Sequence, residues 1–500
     1  MQNVQDVISI LANLGNMSKY IRTNFDEVLL LPSAIEDWIP DNHKARFVRD
    51  FVRELDLHAY NLIDSSDDVG RPKYHPEMLL MLWIYGYMNH IRSSRKIEEA
   101  CYNDMGFIWL SGNCHPDHNT LSRFFKKNTN LFKKLFKSIL LTAKKLGLIE
   151  LALHALDGTK IASVISKKGA SHRSSLEEKL KHFDLIIEDL ILKTAQDNES
   201  IVEKTIAQEL EDAKKSSSDI RAALQELDIE DTNHLNDKEP EARMMKCADG
   251  KTCFAYNCQA VRDESSGMVV AEEVVNDESD NAMLTAMIDV VKDNLGEVAE
   301  ITLADGGYFA GRELESAKSK EYGVLVNMKG ITDNCDNPEY SKFKFTYNAE
   351  EDTYTCPKDK TLKFSFNKNK KAKSGLDYKI KVYQCRDCKK CPAYGICTKS
   401  KTGRRINRLP DEDLIVSQIK LQSESGNKDK LKKRGSIIEP FFSIIKDSGL
   451  FRRFTCKNFD GAKRQWTMLC TTHNISVIYK LWQNSEISLP HFGLVMRQHV

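Results

Sequence analysis

LALHALDG, residues 151–158, is the stretch on which the reading of the fold turns. Upstream of it the chain reads as helices; downstream, short apolar runs alternate with helical ones. Leu151 to Leu156 is apolar and stops at Asp157-Gly158, the signature of a strand closed by a turn. The signature returns in EITLADGG, residues 300–307, where Asp305 precedes two glycines. Between the two lies a charged stretch from Leu176 to Leu227. Its apolar residues Leu180, Phe183, Ile186, Ile187 and Leu190 recur at helical spacing, which predicts an exposed helical hairpin with a break at Ser216 to Ser218. CFAYNCQAVR (253–262) and GMVVAEEVV (267–275), joined by a turn at 264–267, read as a β-hairpin. Helices are expected over 280–295 and 311–318, and a further strand at YGVLVN (322–327). The order β, helical insertion, ββ, α, β, α, β specifies a mixed α/β sheet.

Outward toward the N-terminus, residues 1–150 predict an all-α domain. Pro76 to Ile91 is almost continuously apolar and opens on proline, as a buried helix would. Segments 93–102, the apolar piece ending near Gly112, and 117–128 resemble a helix-turn-helix, with Arg123, Lys126 and Lys127 on the last helix. Between His118 and Ile149 there are eight Lys/Arg and no acid. Arg123, Lys126, Lys127, Lys133, Lys134 and Lys137 are the candidate grip on DNA, while Phe124, Phe125, Leu131, Phe132 and Leu135 would face inward. Toward the C-terminus, 330–426 is polar and basic: residues 361–410 carry fifteen Lys/Arg against Asp377 and Asp387. A net charge of +1 does not by itself suggest nucleic acid, but basic blocks flanking an acidic one fit a protein that lays chosen faces on a polyanion. The plainer alternative is a set of solvated helix faces. A helix resumes at about Asn427 and runs to Lys446, with Pro440 expected to break or kink it. An apolar helix follows from Gln465 to Trp482. The organisation expected is a catalytic domain over 151–329 and 427–485, a helical insertion over 172–240, a Cys-rich insertion over 330–426 and a tail over 486–500.

No run of about 18 apolar residues suggests a membrane span, and MQNVQDVISILANLG lacks a basic start and a cleavage site. The expected location is the cytoplasm. Thirteen cysteines in a reducing compartment do not form a disulfide framework. Five of them cluster: Cys356, then Cys385, Cys388, Cys391 and Cys397. Knuckle-like spacing presents thiolates to one ion, so four of the five make a closed zinc site, which of them is spare staying open. Reduced spare thiols are the alternative.

Asp157 and Asp305 each end an expected strand before glycine, where ligands gather in open α/β sheets; Asp-Gly is also an ordinary turn signal. Glu439 stands in the apolar run IIEPFF (437–442), where a carboxylate wants a cation, whether a metal or a neighbouring Arg or Lys. Lys446, seven residues on, would share its helix face and meet a phosphate. Three carboxylates from separate segments are what two-metal phosphoryl transfer with Mg²⁺ or Mn²⁺ needs.

LDGTKIAS (156–163), EARMMKCADGKTCFAYNCQAVRD (241–263), ITLADGGYF (301–309) and IIEPFFSIIKDSGLFRRF (437–454) together resemble a bacterial insertion-sequence DDE transposase. The resemblance spans roughly residues 45 to 480. It implies a ribonuclease-H-like catalytic core behind a helical N-terminal region, with the first Asp ending the first strand, the second Asp ending the fourth and the Glu on a late helix. Asp157, Asp305 and Glu439 match residue by residue, and Lys446 matches the lysine of the late signature. The arginine expected before the Glu is displaced: Gly435 holds its place and Arg434 is adjacent. Ala255 stands where glycine is usual. The implied activity is phosphodiester hydrolysis and strand transfer on double-stranded DNA, at element ends and target, by a homodimer on DNA. The location that the resemblance implies is the bacterial nucleoid. The alternatives are a non-catalytic, sequence-specific DNA-binding protein derived from such an enzyme, against which the intact carboxylates argue, and a nuclease of the same fold.

Overall fold

The computed structural model describes residues 34–62, 73–165, 171–194, 200–229, 234–235, 239–247, 250–328, 337–371 and 377–499. The N-terminal region is helical: α1 (Lys44–Arg53), α2 (Pro76–Met88), α3 (Ser94–Asn103), α4 (Met105–Leu110), α5 (His118–Lys127) and α6 (Thr129–Lys145). Pro76 opens α2, which is buried from Leu79 to Met88. Asp117 caps α5 by accepting from the backbone N–H groups of Asn119 and Thr120. Phe124, Phe125, Leu131, Phe132 and Leu135 are buried as expected, and the six basic residues named above point outward.

The main sheet holds β1 (Leu153–Ala162), β2 (Arg243–Lys246), β3 (Thr252–Asp263), β4 (Val269–Val275), β5 (Ile301–Ala304) and β6 (Val324–Val326). Its spatial order is β4-β3-β1-β5-β6, with β2 extending the outer side of β3. Strand β3 runs antiparallel to β1, β2 and β4, whereas β1, β5 and β6 are parallel to one another. This is the mixed α/β sheet expected. Two differences matter. The first strand does not stop at Leu156 but runs to Ala162, so Asp157 lies within it. Cys247 and Cys253 form a disulfide across the β2–β3 hairpin, against the expectation of thiols only; the other described cysteines are unbridged.

The helical insertion is a hairpin of α7 (Arg173–Thr194) and α8 (Ser200–Ile229). The expected break at Ser216 to Ser218 is absent: α8 continues through, and Ser217 is buried there because its hydroxyl donates across the hairpin to Asp184 at 3.0 Å. After α9 (Leu284–Leu295) and α10 (Gly311–Ser319), the Cys-rich region builds a sheet of its own, all antiparallel, in the order β11-β10-β9-β8-β7. Its strands are β7 (Thr346–Asn348), β8 (Thr353–Thr355), β9 (Thr361–Lys371), β10 (Asp377–Gln384) and β11 (Arg405–Arg408). The next helix, α11 (Glu412–Ser423), returns to the main sheet, where Gln418 and Gln422 bond the two backbone groups of Val326.

Helix α12 (Asn427–Ser443) carries Pro440 without ending there, and the last turns widen into a π-turn over Ile444–Ser448. Helix α13 (Phe459–Gln483) is buried for most of its length. Asn474 bonds both the N–H and the C=O of Val269 at 2.8 Å, and Thr467 donates to Glu272 at 2.6 Å. One hydrophobic core therefore runs from the N-terminal helices through α13 into the sheet. Residues 486–500 are not a loose tail, since α14 (Leu489–Met496) buries Leu489, Phe492, Val495 and Met496. Among the described residues no helix is long and apolar enough to cross a membrane.

Candidate active site

The register of β1 against β5 places two carboxylates side by side. Leu153, His154 and Ala155 pair with Ile301, Thr302 and Leu303 in parallel. Carried on by two residues, that register sets Asp305, the first residue past β5, beside Asp157. Neighbouring strands lie about 4.8 Å apart, and equivalent positions of parallel strands point the same way. Burial pushes the Asp157 carboxyl above its ordinary range, Arg434 draws it back, and the charge of Asp305 raises it further. Asp305 Oδ1 accepts from the Gly307 N–H at 2.8 Å, and Asp157 Oδ1 from the Gly158 N–H at 2.8 Å.

Helix α12 packs across β1, β3 and β5. From it Arg434 reaches down and pairs with Asp157, Nη1 to Oδ2 at 3.1 Å. The arginine that seemed displaced by one position is thus in contact with the first carboxylate. Lys446, in the π-turn, lies over the Phe442 ring at 5.5 Å; burial lowers its pKa, and the charge of Asp157 offsets part of that. Glu439 departs from expectation. Its apolar neighbours Ile437, Ile438, Phe441 and Phe442 are buried, but Glu439 itself is exposed and has no hydrogen-bonding or ion-pairing partner among the described residues. Helical geometry explains this: the inward positions fall at 438, 441 and 442, leaving 439 on the outer side. The glycine at 435 leaves room for it, since a Cβ there would lie 2.9 Å from Glu439 Oε1. The third carboxylate is carried on the helix above the pair and is not gathered with it; among the described residues no three His, Cys, Asp or Glu converge on one point as a metal cluster.

A ring of residues outside the sequence reading surrounds the pair. Asp280 accepts from Lys160 Nζ at 3.0 Å, Asn257 Nδ2 at 2.7 Å and Gln259 Nε2 at 2.8 Å. Tyr308, in the turn after Asp305, donates its hydroxyl to Gln259 Oε1. The available signal was in β3: Asn257 and Gln259 are two polar residues at strand period in an otherwise apolar run, hence on one face.

The five clustered cysteines also meet. Cys356, Cys385, Cys388, Cys391 and Cys397 line a single pocket under Tyr340, Phe345 and Leu362. Backbone N–H groups point at their sulfurs: Lys358 and Lys360 at Cys356, 3.4 and 3.2 Å, and Arg404 at Cys388, 3.3 Å.

Residues 33–127 match the family described as Transposase domain (DUF772), and residues 355–479 match the family described as Transposase DDE domain. No curated protein and no solved structure matches the chain.

Proposed function

We propose, for a chain whose two matched domains are both those of transposases, that Asp157, Asp305 and Glu439 hold divalent cations and that the protein cuts and joins DNA at insertion-sequence ends. The carrying observation is the in-register pair Asp157 and Asp305 on adjacent parallel strands beneath α12. The donors fit the group: carboxylates are hard ligands suited to Mg²⁺ or Mn²⁺, and a bound cation would offset both the burial and, to a smaller degree, the Asp305 charge that raise Asp157. Such ions, when bound, activate water or a DNA 3′-hydroxyl and stabilise the leaving oxygen.

The chain's own residues have three tasks. Asp157 and Asp305 present ionised oxygens from a rigid sheet. Arg434, paired to Asp157, would be free to offer its guanidinium to a phosphate were that carboxylate engaged by a cation, a task that suits its planar fork. Lys446 adds a positive charge whose partial burial strengthens its hold on a phosphate. Glu439, exposed and without a partner among the described residues, closes the set from above when DNA is seated. Placement on the first principal strand, after the fourth (β1, β3, β4, β5), and on a late helix supports a ribonuclease-H-like core for residues 151–329 and 427–485. The outward basic residues of α5 and α6 support DNA binding by residues 1–150, with a homodimer on the paired ends. A zinc ion held by four of the five cysteines is the structural cofactor proposed for the region 330–426: thiols that line one pocket, with backbone N–H donors aimed at Cys356 and Cys388, suit thiolate ligands.

The test is incubation of the full chain with labelled double-stranded element ends and Mg²⁺ or Mn²⁺. Specific new 3′-hydroxyl ends, lost in Asp157→Asn while binding persists, are the expected result. Tight, specific binding without cutting by the wild type would favour the non-catalytic DNA-binding protein.

A further inference from the structure

We infer that Gln259 is a positioning residue that fixes the gap between Asp157 and Asp305, and thereby the affinity of that pair for a divalent cation; this rests on the metal reading above. Gln259 is fully buried on β3 and stands opposite Gly158 of β1. Its amide occupies the space a side chain at 158 would need, since a Cβ there would come within 2.3 Å of Nε2. Any residue but glycine after Asp157 would displace the Gln259 amide. On its other side the same amide accepts the hydroxyl of Tyr308, which is also fully buried and belongs to the turn that begins at Asp305. One side chain therefore touches the residue after the first carboxylate and the turn that carries the second.

Its orientation is fixed by what surrounds it. Nε2 donates to Asp280 Oδ1 at 2.8 Å and to Asn257 Oδ1 at 2.9 Å. Asp280 is a carboxylate paired with Lys160 and can only accept, so a flipped amide would set oxygen against oxygen. Asn257 is held in the same sense, because its Nδ2 donates to Asp280 Oδ1 at 2.7 Å and to the Asp277 carbonyl at 3.2 Å. The backbone carbonyl of Gln259 accepts from Trp466 Nε1 at 3.1 Å, which anchors it to α13. Asp280 and Asp305 flank the same glycine: a Cβ on Gly307 would lie 2.9 Å from Asp305 Oδ1 and 3.9 Å from Asp280 Oδ2. Groups behind metal ligands commonly govern affinity by ~10- to 100-fold.

The experiment is Mn²⁺ titration of the full-length protein followed by electron paramagnetic resonance of the free ion, with thermal melting of each metal-free variant alongside. Tyr308→Phe removes one hydroxyl and keeps the ring; Gln259→Met keeps the length and removes every amide bond. Tyr308→Phe is expected to melt close to the wild type yet bind Mn²⁺ about 10-fold more weakly, and Gln259→Met more weakly still. Cleavage by Tyr308→Phe should return as Mn²⁺ is raised. A residue that only packs would lower the melting temperature and leave Mn²⁺ affinity unchanged. That result in Tyr308→Phe, which does not depend on Gln259→Met folding, overturns the inference. Asp157→Asn separates the two layers. Wild-type binding lost in Asp157→Asn but kept in Tyr308→Phe removes only the role of Gln259. No Asp157-dependent Mn²⁺ binding in the wild type removes the metal reading together with it.

Discussion

The two larger sheets of the described residues are held together in opposite ways. The main sheet shares one apolar core with the N-terminal helices and with α12 to α14. The small sheet, β7 to β11, has a cluster of seven buried side chains, Phe345, Tyr354, Leu362, Tyr383, Cys385, Cys388 and Ile406, two of them cysteines. Much of its longest strand is wet on both faces, with Phe364 and Phe366 themselves exposed. A sheet with so little to bury needs another source of stability, and the one at hand is the pocket of thiols. The main sheet, by contrast, is stable enough to hold carboxylates in each other's field, an arrangement that costs stability.

The largest expected effect breaks the comparison at its weaker side. Structural zinc contributes on the order of 10 kcal/mol to the folding of small sites. The double substitution Cys385→Ser with Cys388→Ser should therefore abolish stoichiometric zinc and remove hydrogen-exchange protection across residues 346–408, while protection of β1 persists. A wild type that carries no zinc, or a variant whose small sheet stays protected, would sink this account. Next in size is Phe441→Ala, which removes a fully buried ring packed on Phe442 and Trp466. Its cost should be about 3–5 kcal/mol. Because the core is continuous, N-terminal helices and main sheet should melt at one shared, lowered midpoint; two separated transitions would show that the helices stand alone.

Smaller is Glu272, which burial against α13 pushes up to about 7 from an ordinary 4.5. A carboxyl raised in the folded state contributes stability that is whole below pH 4.5 and lost as pH rises through about 7. Glu272→Gln should thus be more stable than the wild type above that range, by about 2 kcal/mol at most given its partial exposure, and no more stable below it. Denaturant melts at the two extremes of pH check both halves. Least costly to the fold are Lys126→Gln, Lys127→Gln and Lys134→Gln, all exposed. If each lysine meets a phosphate, each substitution makes the logarithmic salt slope of DNA binding shallower by about 0.9. An unchanged slope would move the DNA contacts off α5 and α6. Point substitutions are the right tool, since deletion of residues 1–150 would strip the shared core.

What the sequence disclosed follows the same division. Asp157 and Asp305 were legible because an apolar run ending in Asp-Gly is a local pattern, and local patterns survive folding. That β1 continues to Ala162 was not, because Gly158 and Lys160 are only half-buried and blur its alternation. Glu439 was found by its apolar neighbours, yet the inference that it would be buried failed, as those neighbours occupy the inner face alone. The longest strand of the small sheet left no period to read: residues 363–370 are exposed at every position. Gln259, Asn257 and Asp280 are joined across 20 or more positions between β3 and the loop before α9, and only the polar pair in an apolar strand hinted at them.

The central claim is that Asp157 and Asp305 are the floor of a cation site roofed by Glu439. Anomalous scattering from a crystal of the protein with Mn²⁺ and an element-end duplex tests it most directly. The expected result is manganese between Asp157 and Asp305, with Arg434 released from Asp157 and the Glu439 carboxylate turned toward the metal. Manganese bound elsewhere, with Arg434 still paired to Asp157 and Glu439 still facing solvent, would contradict it.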